Sequence, residues 1–486
     1  MAQYVKIKRP LGQRITEYFA NLGKSVKDFF VRIGMSFVRL WKDFKEGDWR
    51  IKLSFLVMGL AHMLNGQVVK GITYLGVEIL FVLFMVFFGG TYMGHLFSGQ
   101  IGTKVTQEDI WNEEKGVYET QFGDNSMLIL LYIVVTLAVI AFFVIIWRGN
   151  ITSARQLYAR RELGMKCNTF IDDVKEYGNG KFHKTLLIPP LAGIIVFTVL
   201  PIIFMILIAF TNYNYEHEPP RWLFTWDASA WARLFTVGSG TMGGTFLNVF
   251  VWTIIWAFFA TFTNYFGGMI LALIINKKGI RLKKLWRTCF VVAIAVPQFV
   301  TLLLMSKILD VDGILNVVLG TKIDWLGSLS NRALIPRIVI IVVNMWIGIP
   351  YTILMCSGIL MNIPADLYEA ATVDGAGPVT RFFKITLPYM FYVTGPSLIT
   401  TFVGNINNFN IIWLLTNGGP GDNLHYTDKA QSTDLLVTWL YRLTTGDNPQ
   451  YNVASVIGIV IFVITATLSL IVYKHSSATK SEGDFS

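Results

Sequence analysis

"EAATVDGAGPVTRFFKITLP", residues 369–388, joins two long apolar runs and is composed like a tight helical hairpin. Just upstream, Pro364 suits the first turn of a helix, where its missing N–H needs no partner, and Asp366 complements the positive end of the helix dipole. Ala370 and Ala371 keep that helix slim. Gly375 can take the left-handed backbone that ends a helix, and Gly377-Pro378 begins the next element. Phe382, Phe383, Ile385 and Leu387 then lead into apolar sequence again, entered at Pro388. The spacing predicts helix, turn, helix, carried on the ends of two hydrophobic segments.

Those segments set the fold class. The chain has 486 residues, of which 53% are hydrophobic and 15% charged, and its mean hydropathy is +0.52. A soluble domain is about 25% charged. Runs of about 20 apolar residues cross a roughly 30 Å hydrocarbon layer as helices. Outward from the hairpin, 334–360 and 389–415 are the nearest runs. Others lie at 72–93, 126–147, 185–210, 245–275, 288–309 and 451–473. An all-α polytopic membrane protein with about eight spans is expected. Residues 53–64, "LSFLVMGLAHML", are apolar but too short to cross, so they are expected to lie at the interface or re-enter.

Basic residues orient the chain. The 148–184 connection holds eight Lys and Arg, and 276–287, "NKKGIRLKKLWR", holds six with no acid. The connections 94–125, 211–244, 310–333 and 416–450 hold two each. Positive charge collects on cytoplasmic loops, which puts both termini and the 369–388 hairpin on the cytoplasmic side of the cell membrane. The net charge of +10 then reflects topology and attraction to anionic membrane lipid, and no nucleic-acid partner is needed to explain it. Residues 1–52 form a basic extension whose apolar positions between Ile15 and Phe44 recur at helical spacing, as in a helix on the inner leaflet. Residues 53–150 hold two accessory spans, 185–475 the remaining six, and 476–486 a cytoplasmic tail.

Other motifs carry little. The run "GSGTMG" (Gly238, Gly240, Gly243) follows no strand, so it does not indicate a dinucleotide site. Gly178, Gly180 and Lys181 lack the full spacing of a phosphate loop, leaving no visible means of hydrolysing ATP. Cys167, Cys289 and Cys356 are scattered and the six histidines dispersed, with neither metal-ligand nor disulfide spacing. Glu78 is a lone acid within the first span. Lys307 and Arg337 sit near outer span ends, where they can snorkel. Glu108, Asp109, Glu113 and Glu114 form no catalytic pair and read as a solvated loop. No catalytic group is assigned. A membrane-embedded glycan-handling enzyme remains the alternative from another class.

The hairpin pattern is more specific than its physics. Glu369, Ala370, Ala371, Asp374, Gly375 and Ala376, followed by Ile385, Leu387 and Pro388, resemble the "EAA loop" of membrane subunits of binding-protein-dependent ABC importers. "VNMWIGIPYTILMCSGILMNIPADLYEAA" (343–371), "NNFNIIWLLTNGGP" (407–420) and "STDLLVTWLYRL" (432–443) are similar to the maltose/maltodextrin permease subunits of MalF type, over roughly 185–475. The resemblance implies a six-helix transport core with a coupling loop at 361–388 that docks on a cytoplasmic ATPase. It further implies a second homologous, MalG-like permease chain, two copies of a MalK-like ATPase and an extracytoplasmic sugar-binding protein. ATP and magnesium would belong to the ATPase, with no cofactor in this chain. The implied cargo is a maltodextrin-like oligosaccharide. A raffinose-type sugar, a glycoside or an alginate-like oligomer is the alternative.

Pocket positions carried over from that family fall on Asn344, Gly348 and Tyr351 of the sixth span and on Thr401, Asn405 and Asn408 of the seventh. Both sets repeat a four–three spacing, which places each on one helical face. Amides donate to and accept from hydroxyls, and a tyrosine ring suits the apolar face of a pyranose. Asn407 and Asn410 are expected to point elsewhere. Two departures stand out. Gly404 replaces a pocket phenylalanine, and the 211–244 connection is short where well-known members carry a large extracytoplasmic domain. A cell without an outer membrane would fit the second.

Overall fold

The computed structural model describes residues 27–475 apart from 29–30, 32–33, 114, 166–167, 239, 278, 330–331 and 423–424. The expectations for residues 1–26, Glu114, Cys167 and the 476–486 tail lie outside them; residues 34–46 are helical. Among the described residues, six helices are long and apolar enough to cross a membrane: Val68–Leu96, Ser126–Glu162, Phe182–Ile208, Met242–Asn276, Leu334–Leu360 and Tyr451–Leu470. Two bent pairs, Lys283–Ala295 with Gln298–Ile308 and Pro378–Ile406 with Phe409–Leu415, bring the number to eight when each pair is one span.

Both breaks have local causes. The expected straight span at 288–309 turns by 88°. Val296 is extended, with ψ 124°, because the ring of Pro297 crowds the preceding residue out of helical geometry. The second break, of 41°, falls at Asn407, where one helix ends and the Asn408 side chain caps the next. Elsewhere proline is absorbed. The widened turns Ile195–Val199 and Phe382–Thr386 lie just ahead of Pro201 and Pro388 or span their i−4 carbonyls, relieving the clash with the ring.

The chain divides into two compact units, residues 1–98 with 127–201 and residues 99–126 with 202–486. In the first, the 53–64 stretch does not span. It folds as two short helices, Trp49–Ser54 and Leu60–Leu64, joined at Gly59. A Cβ on Gly59 would come within 2.1 Å of the Gly71 carbonyl oxygen, so the segment and the first span touch backbone to backbone. The Glu78 carboxylate accepts from the Met58 amide at 2.8 Å, and Asn150 accepts from the Gly59 amide at 3.0 Å. The lone acid of the first span is thereby given a structural partner.

The second unit is built on Met242–Asn276, which packs along both Leu334–Leu360 and Pro378–Ile406. Trp252, Trp256, Ala260, Ile340 and Ile411 fill one layer of its core; Tyr265, Met269, Ile353 and Met390 fill another. A Cβ on Gly268 would lie 2.5 Å from the Thr352 Cβ, so glycine permits this crossing. The "GSGTMG" run opens the helix, with the Thr241 hydroxyl accepting from the Gly244 amide. The fold is all-α as expected but for two short strand pairs. Gln107–Asn112 pairs antiparallel with Val117–Gln121, and Gln100–Ile101 with Phe224–Thr225. The stretch read as a solvated loop is therefore a hairpin, pinned by the Trp111–Tyr118 ring pair at 5.1 Å and by Arg221 on Glu108 at 2.7 Å.

Candidate functional site

Residues 365–381 form the expected hairpin: helix Ala365–Val373 with Pro364 as its N-cap, then helix Pro378–Arg381. The turn closes through two bonds of a Schellman motif, Ala376 N–H to the Ala371 carbonyl at 2.8 Å and Gly375 N–H to the Thr372 carbonyl at 3.1 Å. Gly375 adopts φ +77° as that motif requires, with nothing within 4 Å of the position a Cβ would take. Arg381 donates to the Thr372 hydroxyl and Tyr368 bonds Thr386, each at 2.9 Å, stitching the two arms together. Glu369, Ala370, Asp374 and Gly375 are exposed and Ala371 and Ala376 half-buried. Leu367, Val373, Val379 and Phe383 are exposed as well, Val373 by 88%. Apolar side chains shown this openly on a self-braced projection form a contact surface.

Both arms connect to the polar helices. Ser397 meets the Met355 sulfur at 3.7 Å, which fixes the register of the Leu334–Leu360 and Pro378–Ile406 helices. One antiparallel turn further brings Thr401 level with Tyr351, and the next step brings Gly404 level with Gly348. Tyr351 is 53% exposed, and Thr401 and Gly404 are exposed with it. Thr401 donates to the Ser397 carbonyl. Open space adjoins Gly404. A tyrosine ring and a hydroxyl at one level, and a bare glycine one step further along, are thus all uncovered.

The amides behave differently. Asn405 is buried, donates to the Thr261 hydroxyl at 2.9 Å, and accepts from the Trp256 indole through its carbonyl at 3.0 Å. Asn344 is buried and reaches the Ala260 carbonyl at 3.4 Å. Asn408 spends its oxygen on the Ile411 amide. Asn344 and Asn405 bond a neighbouring helix and Asn408 caps its own, and in the seventh span the four–three spacing gives no continuous polar stripe, since the helix ends at Ile406. Asn407 and Asn410 are exposed instead. Sequence reasoning missed Asn264. Its amide occupies the space over Gly348, 2.1 Å from where a Cβ would stand, and its Oδ1 is buried with no partner among the described residues. An amide inside an apolar span is the signal that could have found it.

Past the second break, the Gly/Pro run 416–423 is more than a helix stop. Thr433 N–H bonds the Gly418 carbonyl and Ser432 N–H the Pro420 carbonyl. Asp434 is fully buried; burial pushes its carboxyl up, against the pull of Arg442 at 3.3 Å. Arg337 does not snorkel free: it donates to the Ser432 carbonyl and the Tyr426 hydroxyl and lies over Trp252 at 4.5 Å.

Residues 264–480 match the family described as binding-protein-dependent transport system inner membrane component. The chain is 32% identical over 451 residues to the maltodextrin transport system permease protein MalC of Streptococcus pneumoniae, covering 90% of this chain and 98% of that one. It is 32% identical over 431 residues to the galactooligosaccharides transport system permease protein GanP of Bacillus subtilis, covering 88% and 97%. To the maltose/maltodextrin transport system permease protein MalF of Escherichia coli K12 it is 34% identical over 267 residues, 54% of this chain and 51% of that one.

Proposed function

From the premise that this chain belongs to the inner membrane components of binding-protein-dependent transport systems, in the maltodextrin permease group, we propose that it forms half of the translocation path of an ATP-driven oligosaccharide importer. It is a multi-pass permease subunit rather than an enzyme. Hydrolysis of ATP, with magnesium, falls to a separate ATPase, two copies of which act on the importer. A second homologous permease supplies the other half of the path, and an extracytoplasmic binding protein delivers the sugar. The hairpin and both termini face the cytoplasm.

One observation carries the reading: an exposed, internally braced hairpin is continuous with the helices that bear the uncovered Tyr351, Thr401 and Gly404. From Arg381 to Thr401 the helix rises about 30 Å at 1.5 Å per residue. A push at Glu369, Ala370 and Ala371 against a closing ATPase, with Asp374, Gly375 and Ala376 keeping the turn shut, therefore shifts the level at which sugar passes. The ATPase must contact two permease states differently for this to do work. Tyr351 and Thr401 meet the sugar directly, and Gly404 leaves room for it. Gly348 admits Asn264 beside them, while Asn344, Asn405 and Asn408 hold the wall in place. Relatives named for maltodextrins and for galactooligosaccharides are equally identical to the chain. The cargo is thus a neutral oligosaccharide, with maltodextrin the first to test.

The test is uptake by proteoliposomes holding the full importer and its binding protein. Labelled maltotriose should enter on addition of ATP, and Tyr351→Ala should lower uptake while leaving basal ATPase activity in place. Uptake of a galactooligosaccharide but not maltotriose would replace the cargo. ATPase failing to co-purify with the chain would overturn the function.

A further inference from the structure

The first unit holds a feature that transport of sugar leaves unused. A cleft of about 680 Å³ opens between the start of Val68–Leu96, the C-terminal half of Ser126–Glu162 and the 168–181 segment. Its lining begins at Ile145, where the apolar run of the second span ends, and extends to Arg160, about 22 Å further along the helix. Four cations line it: Lys70, Arg148, Arg160 and Lys181, with the acids Asp173 and Glu176. Lys70 is spoken for by Asp173 at 2.6 Å, and Lys181 by Glu176 at 3.0 Å. Among the described residues, the Arg160 guanidinium has only a neutral partner, the Asn168 amide oxygen at 3.0 Å. The Arg148 guanidinium has no partner among the described residues; only its carbonyl is engaged, by Thr152. The cleft therefore carries an excess of two positive charges, both on arginines.

Forked guanidinium groups match the oxygens of a phosphate, and each can donate two parallel bonds to it. The cleft also starts at the depth where hydrocarbon gives way to headgroups, with Ile145 at the level of acyl chains and Arg148 one turn beyond. Basic pockets between spans on the cytoplasmic side have the chemistry to hold anionic headgroups.

We propose that this cleft is a binding site for the headgroup of an anionic phospholipid at the inner leaflet, with Arg148 donating to its phosphate and Arg160, about 18 Å further along the helix, adding to the positive field. The lipid ties the ends of the two accessory spans together. This goes beyond the transport reading and does not depend on which sugar is carried.

Native mass spectrometry of the purified importer from phosphatidylglycerol-containing membranes tests it. The double variant Arg148→Gln/Arg160→Gln should retain about 5- to 30-fold less phosphatidylglycerol than the natural chain. Arg148→Lys, which keeps the charge but loses the fork, should retain an intermediate amount, which separates loss of the site from misfolding. Arg281→Gln, in the other basic connection, should change nothing. Equal retention in the double variant and in Arg281→Gln would overturn the site. So would binding of inorganic phosphate in nanodiscs of phosphatidylcholine that added phosphatidylglycerol fails to displace, which would mark a soluble phosphate ligand instead.

Discussion

Replacing Gly375 by alanine isolates one term of the coupling hairpin. No atom stands within 4 Å of the new Cβ, so the substitution creates no clash, and its cost is confined to the backbone. At φ +77° an L-residue is strained by about 1–2 kcal/mol. That strain falls on the two bonds closing the turn, Ala376 to Ala371 and Gly375 to Thr372. An opening equilibrium shifted by this amount changes the open population about 5- to 30-fold. Hydrogen exchange of the 365–381 segment in the assembled importer reads it directly, as faster exchange by that factor at the 375 and 376 amides. Gly377→Ala is the internal control. Gly377 sits at φ −70° and ψ 168°, an extended backbone open to any residue, again with nothing within 4 Å. Its exchange should be unchanged, while transport per ATP hydrolysed should fall only in the Gly375 variant. Equal exchange in the two variants, or uncoupling by Gly377→Ala alone, would refute the claim that the left-handed turn holds the lever in shape.

Other expectations are simpler. Gly268→Val should prevent assembly of a stable importer, since even a Cβ meets Thr352 at 2.5 Å; normal thermal unfolding would contradict the close crossing. Arg442→Ala strands the buried Asp434 carboxylate and should cost about 3–5 kcal/mol, with part recovered by adding Asp434→Asn; an unchanged Tm would argue against a buried pair. Asn405→Ala should cost about 0.6–1.7 kcal/mol by losing the bond to Thr261, with little change in sugar affinity, and a large affinity loss would make it a ligand contact after all. Hydrogen bonds from the Lys104 and Thr103 amides hold the Asp124 carboxyl below its ordinary 3.8. Its folded value is depressed, so its contribution is complete above pH 3.8 and fades as pH falls through the folded value. Exchange at the 103 and 104 amides should rise on acidification, and Asp124→Asn should remove that dependence.

Much of the architecture was readable because a bilayer imposes length and polarity on every crossing segment. The hairpin was legible down to Gly375, since capping and turn chemistry are local. What the amides do was not. A four–three spacing says that Thr401, Asn405 and Asn408 would share a helical face, not what that face meets, nor that the helix stops between them. Asn405 is claimed by Thr261, 144 residues away, and no local pattern signals that partner. Arg337 likewise finds Ser432 across 95 residues. The strand pair at 107–121 was hidden for another reason: its side chains are mostly exposed on both faces, so no apolar alternation marks it. The 88° break was announced by Val296-Pro297, a dipeptide equally compatible with a kink in a continuing span.

The glycine contact between Met242–Asn276 and Leu334–Leu360 bears on how such a machine cycles. Gly267 lies against the Ile349 side chain and Gly268 against the Thr352 Cβ and backbone, close enough at Gly268 that no methyl fits. Two rods meshed at that separation cannot ratchet past each other without first parting. In the importer proposed above, the two helices therefore move as a single beam.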